Sequence, residues 1–188
     1  MDIIPLVHLK EGRLLEHVNG DEITIADLRQ LVQKDQMIYL LDYDGIQYDD
    51  PDVELYQKLA ETFQLWIDEG PRILDDAMDV IMAGAVNLTI RPSLWDEKNY
   101  SGIREILEGD LFLAVDSERK ETTDTARELT DISGTVYFEK EDIVTCMIST
   151  PKAKTYLVNI EPSSLPFWKD RGVTGVLVDI GSLARYQA

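Results

Sequence analysis

The sequence predicts a compact (β/α)8 barrel, also called a TIM barrel. Eight short apolar segments alternate with segments of helical spacing, and strands that alternate with helices imply right-handed crossovers and a parallel sheet. The strands end near residues 7, 41, 67, 90, 115, 138, 160 and 180, so each repeat is close to the minimum length. We therefore expect residues 1–188 to form one barrel domain, shorter than the typical barrel of about 250 residues.

The strands are assigned from apolar runs bounded by turn residues. The run MIYLLD is apolar throughout, as expected of a strand buried on both faces. The third and sixth runs are the weakest, and without them the sequence would fit an open, doubly wound parallel sheet instead. The eight predicted strands are Ile3–Val7, Met37–Asp42, Gln64–Ile67, Val86–Ile90, Leu111–Val115, Val136–Phe138, Tyr156–Ile160 and Val176–Ile180.

The helices are assigned from apolar spacing and end signals. Ile25 and Leu28 lie on one helical face, and Thr24 is placed to cap it. Asp50 and Pro51 predict the start of the second helix. Residues 13–17 predict a small hairpin after the first strand. The other predicted helices are Leu74–Ala83, Ser101–Glu108, Glu118–Thr130, Glu141–Ile148 and Ser164–Arg171.

The charge balance restricts the possible partners. The chain has 36 acidic and 18 basic residues, a net charge of −18, which disfavours electrostatic binding of nucleic acid or of an anionic membrane surface. The single cysteine, Cys146, cannot form an intrachain disulfide, and no apolar run reaches membrane-spanning length. We expect a cytoplasmic protein that binds neither nucleic acid nor membrane; the oligomeric state is left open.

The residues that follow the strands are the candidates for chemistry, because a barrel places them at one mouth. His8 follows the first strand and Asp116 the fifth, on opposite sides of the barrel, where they could form a general acid–base pair. His8, Asp42 and Asp116 could also ligate a divalent ion, but they lack a close-spaced ligand motif, so no metal or cofactor is predicted. Other charged residues at strand ends are Asp44, Asp68, Glu69, Arg91, Glu139, Glu161 and Asp179.

Several of these segments carry a resemblance to a known family. IIPLVHLKEGRLL resembles the opening of the histidine-biosynthesis barrels, ProFAR isomerase and the cyclase subunit of imidazole glycerol phosphate synthase, and YLLDYDGI resembles their second-strand motif V-D-L-D-G-A. WIDEGPRI, VNLTIRPSLWD, LFLAVDSERKE and GVTGVLVDIGSL are similar to later motifs in the same order. The chain most resembles archaeal proteins described as related to ProFAR isomerase.

The resemblance implies an Amadori-type aldose–ketose isomerisation of a phosphorylated substrate. It implies that Asp116 is one member of the catalytic pair, whereas His8 stands where the family has the other aspartate. Two phosphate-binding motifs also differ, since Asp68-Glu69-Gly70 replaces G-G-G and Arg91-Pro92 replaces G-T. The residues implied to bind substrate or its phosphates are Asp42, Gly70, Arg72, Arg91, Ser93, Gly181 and Ser182.

Two functions are therefore predicted as alternatives. The first is a ProFAR isomerase-like enzyme acting on a small phosphorylated, sugar-like metabolite, with His8 and Asp116 as its acid–base pair. The second is a non-catalytic relative that binds a metabolite or a protein partner, which the changed aspartate and glycines favour. The sequence leaves open whether the protein is an enzyme.

Overall fold

Eight parallel strands close into a barrel in the computed structural model, which describes residues 1–97, 100–115, 131–138 and 153–186. Each barrel strand pairs in parallel with the next, and the last pairs with the first, with Ile4 opposite Leu177. This closure confirms the predicted barrel and excludes the open sheet. The barrel strands are β1 Asp2–Lys10, β3 Met37–Asp42, β4 Gln64–Asp68, β5 Ala85–Ile90, β6 Leu111–Val115, β7 Gly134–Tyr137, β8 Lys154–Val158 and β9 Gly175–Asp179.

Short helices surround the barrel, and a ninth strand, β2 (Arg13–Leu15), folds back antiparallel onto β1. Thr24 caps α1 in a reciprocal capping box with Asp27, as its position before the apolar periodicity predicted. The α-helices are α1 Ile25–Leu31, α2 Tyr43–Tyr48, α3 Val53–Ala60, α4 Leu74–Met82, α5 Ser101–Ile106 and α6 Leu165–Lys169, with 3-10 turns at Pro162–Ser164 and Ile180–Tyr186.

The predicted start of the second helix is wrong. A helix, α2, begins directly after β3 because the Asp42 carboxylate accepts the backbone N–H groups of Asp44 and Gly45. The following helix, α3, is capped by Asp52, whose side chain accepts the N–H of Leu55. The helices predicted over residues 118–130 and 141–148 lie outside the described residues, as do Asp116, Glu139 and Cys146.

The barrel interior is filled by aromatic rings. Trp66 lies 4.1 Å from Phe112 between ring centroids and meets Tyr39 and Tyr156 edge to face at 5.0 and 4.8 Å. The indole N–H of Trp66 donates to the hydroxyl of Thr89 at 2.8 Å, so its polar atom is satisfied. Because this layer closes the interior, the inward-facing side chains above it form the floor of the carboxyl-terminal mouth.

The outer faces of the strands pack against the helices through a second apolar layer. Val7, Leu40 and Leu65 project outward from neighbouring strands, and Leu28 and Leu59 come from α1 and α3 to meet them. Burial on both faces explains why these strands are apolar at successive positions. Among the described helices, none combines the length and apolar character needed to span a bilayer. The cytoplasmic location stays a prediction.

Candidate functional site

The β1–β2 hairpin carries His17 over the carboxyl-terminal mouth. Its turn has two residues with positive φ, Glu11 at 53° and Gly12 at 68°, the backbone that tight hairpins favour. The N–H of Gly12 donates to the Asp44 carboxylate at 3.2 Å, which ties the turn to α2. The chain therefore doubles back beside β1, so that His17 and His8 reach the same carboxylate.

That carboxylate is Asp179, which ends β9 and lies between the two imidazoles. Oδ1 is 2.8 Å from His8 Nε2, and Oδ2 is 2.9 Å from His17 Nδ1. The N–H of Asp179 donates to the side-chain oxygen of Asn159 at 3.0 Å. Partial burial raises the pKa of Asp179, but the hydrogen bonds from His8 and His17 outweigh it and hold that pKa below its ordinary value. Asp179 is therefore an ionised acceptor for both rings.

His8 uses both ring nitrogens inside the protein. Its Nδ1 lies 3.1 Å from the Tyr43 hydroxyl, and the two rings are stacked with an interplanar angle of 10°. Burial, followed by the charge of Asp179, raises the pKa of Tyr43 to about 12, so the phenol keeps its proton and donates to Nδ1. These partners assign the proton of neutral His8 to Nε2, which donates to Asp179. His8 is thus a buried support for the carboxylate.

His17 differs from His8 in its exposure. Its side chain is 41% exposed, and no hydrogen bond to Nε2 is formed within the described part of the chain. Because Nδ1 donates to Asp179, Nε2 of the neutral ring carries the lone pair. A Cβ on Gly181 would lie 2.7 Å from Nε2 and 3.0 Å from the Glu16 carboxylate. A side chain at position 181 would therefore crowd Nε2.

A buried ion pair forms another part of the mouth. Arg91 donates from Nε to Asp68 Oδ1 at 2.9 Å and from Nη2 to Oδ2 at 2.8 Å. The hydroxyl of Tyr39 also donates to Oδ2 at 2.8 Å, and burial together with the Asp68 charge raises the pKa of Tyr39. The guanidinium lies 4.9 Å from the ring centroid of Phe138. Asp68 is fully buried, so its charge is matched inside the protein by Arg91.

Arg72, another residue implied to bind substrate, has internal hydrogen-bond partners. Arg72 donates to the backbone carbonyls of Gly45, Gly70 and Ile46 and pairs with Asp49 at 3.2 Å. These contacts join α2 to the segment after β4. They use the guanidinium for structure, so its availability to a phosphate is reduced.

Asp42 likewise has internal partners. Its fully buried carboxylate caps α2 and accepts the hydroxyl of Tyr56. Ser93 is exposed after β5, whereas Gly181 and Ser182 lie in the 3-10 turn after β9, with Gly181 against His17. The pairing of His8 with Asp116 stays a prediction, because Asp116 lies outside the described residues. The substrate roles of Asp42, Gly70, Arg72, Arg91, Ser93, Gly181 and Ser182 also stay predictions.

Sequence reasoning missed the importance of His17. It placed the residue in a hairpin without a role, and it included Asp179 only among the acids at strand ends. The available signal was the turn at Glu11 and Gly12, which reverses the chain beside β1 and so returns the following residues to the mouth. Tyr43 had no comparable signal, because the helix that presents it begins at an unexpected position.

A buried glutamate lies behind this site, packed on α2. A Cβ added at Gly45 would lie 2.7 Å from the backbone oxygen of Glu69 and 2.9 Å from its Cβ. Contacts below 3.0 Å force the structure to shift, and a backbone atom cannot rotate away. The absence of a side chain at Gly45 thus lets α2 approach the end of β4 closely.

We expect Gly45→Ala to lower the free energy of unfolding by about 1 to 3 kcal/mol through overpacking. In a helix without such a close contact, replacing glycine by alanine would raise the stability by about 1 kcal/mol. The sign of the measured change in the free energy of unfolding therefore shows whether the close contact exists. Gly102→Ala in α5 is the control, since its Cβ would meet the side-chain end of Leu74, which can move. Urea denaturation of both variants measures the effect. A gain in stability for Gly45→Ala would contradict the close packing.

Comparison with known proteins supports the fold. No protein-family model and no curated protein matches the chain. Among solved structures, N-acetylneuraminate lyase from Mycoplasma synoviae is 11% identical with a TM-score of 0.58, over 97% of this chain and 71% of the other. Dihydrodipicolinate synthase from Oceanobacillus iheyensis is 12% identical with a TM-score of 0.56, over 98% and 73%. At this identity the likeness shows the barrel fold alone.

These comparisons correct the family prediction. The assignment to the histidine-biosynthesis barrels is wrong. The similar solved structures are an N-acetylneuraminate lyase and a dihydrodipicolinate synthase, which are not members of that family. The predicted isomerase function falls with it, and its alternative, a non-catalytic relative of that family, loses its premise. The motifs misled because any parallel barrel has buried, apolar strands, and an acid or a glycine often follows each strand where a helix begins. Such motifs therefore do not identify one barrel family. Asp42 illustrates this, since it caps a helix.

Proposed function

We propose that this protein is a (β/α)8 enzyme that transfers a proton to or from a small polar metabolite at its carboxyl-terminal mouth. His17 is the proton-transfer group, and Asp179 is the residue that positions it. The observation that carries the proposal is the Asp179 carboxylate held between His8 and His17, with the side chain of His17 41% exposed. The site stands where barrels keep their chemistry, at the carboxyl ends of β1 and β9.

The geometry provides what a general base requires. The hydrogen bond from His17 Nδ1 to Asp179 fixes the ring and leaves the lone pair on Nε2, which has no hydrogen bond among the described residues. When Nε2 takes a proton from a substrate, the carboxylate stabilises the resulting imidazolium. His8 holds the other oxygen of Asp179 and is itself held by Tyr43, so the carboxylate cannot turn away.

The local charges indicate the substrate class only broadly. Arg91 is paired with Asp68, and Arg72 is bonded to carbonyl groups, so these two cations have internal partners. Glu16 lies beside Gly181, which adds a negative charge near His17. These charges favour an uncharged or weakly charged group next to His17. The phosphorylated metabolite stays a prediction, to be tested in the same experiment.

We expect His17→Ala to lower turnover by about 100-fold or more, the usual contribution of a general base. A library of phosphorylated and non-phosphorylated metabolites, incubated in D2O, would reveal substrates by NMR as turnover or as exchange of a carbon-bound proton.

Gly181→Ala should also lower the rate, because its Cβ would crowd Nε2. Lys34→Ala, in the exposed segment after α1, is the control and should match the wild type.

Asp179→Asn tests the positioning role. It should change the pH profile of turnover as well as its maximum, because an amide cannot stabilise the imidazolium of His17 as a carboxylate does. Equal rates for wild type and His17→Ala would contradict the proposal. So would a library that yields neither turnover nor proton exchange with the wild-type protein.

A further inference from the structure

Glu69 is a buried ionisable group that the mouth does not use. It follows Asp68 at the end of β4, is 1% exposed, and has no hydrogen-bond partner for Oε1 among the described residues. Buried polar atoms are nearly always hydrogen-bonded, so an orphaned carboxyl oxygen requires an explanation. Asp68 points into the barrel, so its neighbour Glu69 points outward, beneath α2.

Its surroundings oppose ionisation. Three carboxylates act on Glu69: Asp42 of β3, Asp68 of β4 and Asp76 of α4. Tyr56 of α3 also lies within electrostatic range of Glu69. The nearby cation is Arg72, whose guanidinium donates to backbone carbonyls. Burial first, and then the three aspartates, raise the pKa of Glu69 to about 8, with Arg72 opposing them. Burial and the neighbouring carboxylates therefore favour the protonated form of this carboxyl.

A packing contact, the first turn of α2 and two hydrogen bonds connect this residue to the mouth. Gly45 of α2 packs on Glu69, with no room for even a Cβ between them. Two residues earlier on the same helix, Tyr43 donates to His8, which holds Asp179. Since α2 has only six residues and is capped by Asp42, a push at Gly45 acts on the whole helix.

We propose that Glu69 is a proton-dependent switch that sets the position of α2 and, through Tyr43, the hydrogen bonding of His8. Loss of its proton adds a negative charge beside Asp42, Asp68 and Asp76, where Oε1 has no donor among the described residues. The strain is relieved when α2 moves outward and admits water, which draws Tyr43 away from His8. As a control on catalysis this inference rests on the proposed function; the movement of α2 does not.

NMR of the full-length protein between pH 7 and 9.5 tests the switch without a substrate. In the wild type, we expect the Glu69 carboxyl carbon, the Gly45 amide and the His8 Nδ1 resonance to change along one curve with one midpoint. Glu69→Gln, which keeps the side chain's shape, should abolish the changes at Gly45 and His8. Glu61→Gln, at an exposed position after α3, is the control and should preserve them.

Two results would overturn the inference. One is a titration of Glu69 that leaves Gly45 and His8 unchanged; the other is an unchanged titration of Gly45 in Glu69→Gln. If the variant fails to fold, the wild-type curves decide alone, because absence of a shared midpoint already refutes the coupling. Turnover that is insensitive to His17→Ala would leave these curves intact, so the two proposals fail separately.

Discussion

Asp68→Ala is expected to lower the free energy of unfolding by about 3 to 5 kcal/mol, the usual cost of removing one partner of a buried ion pair. The substitution leaves the guanidinium of Arg91, 19% exposed, without its bidentate acceptor. It also removes an acceptor of the Tyr39 hydroxyl in the fully buried interior. Urea denaturation followed by tryptophan fluorescence measures the loss, since Trp66 lies in the same aromatic layer.

A double-mutant cycle separates the ion pair from its surroundings. The variant with both Asp68→Ala and Arg91→Ala should lose less than the sum of the single losses, because it leaves no unpaired charge. Asp110→Ala is a matched control, since Asp110 pairs with Lys154 at the surface and such pairs contribute at most about 1 kcal/mol. A loss for Asp68→Ala as small as that for Asp110→Ala would contradict the assigned role of the pair.

The free energy of unfolding of the wild type is expected to fall as pH rises from about 4.5 to about 8, and Glu69→Gln should reduce that fall by the contribution of this one carboxyl. The pKa of Glu69 is raised in the folded state from 4.5 to about 8, so the folded protein holds a proton that the unfolded chain has released. This contribution to stability is complete below pH 4.5 and is lost as pH rises through 8. One proton corresponds to a slope of at most about 1.4 kcal/mol for each pH unit.

Denaturation curves of wild type, Glu69→Gln and Glu61→Gln at several pH values measure this dependence. Glu61 is exposed, so Glu61→Gln should follow the slope of the wild type. The difference between wild type and Glu69→Gln should grow steadily toward pH 8 and then level off. Parallel curves for these two proteins would show that Glu69 is ionised in the folded state at neutral pH.

The strands could be predicted closely because burial on both faces requires an apolar residue at nearly every position. Met37–Asp42 and Leu111–Val115 coincide with the predicted strands residue for residue. Helix α2 was missed because its six residues carry no helical periodicity and include Gly45. The helix begins because the Asp42 side chain caps its N-terminus. Whether an aspartate at a strand end caps a helix or faces a ligand depends on the tertiary structure around it.

The candidate site was predicted in part. The sequence placed His8 at a strand end, and the structure shows it at the mouth, but its observed partners are Tyr43 and Asp179. Arg91 was expected near a phosphate, which stays a prediction, and the structure shows it paired with Asp68. These partners are found because polar side chains of one mouth form hydrogen bonds with each other when the barrel brings them within reach.

The sequence by itself determined the alternation of strands and helices, and hence the barrel and the collection of acids at its carboxyl ends. Only the tertiary structure decided which of those acids face inward and which cap a helix. The pairing of β1 with β9 closes the barrel and brings Asp179 next to His8 and His17. These two histidines are far from Asp179 along the chain. Such pairings depend on strand register and closure, because a local pattern specifies the direction of a side chain but not its distant neighbour.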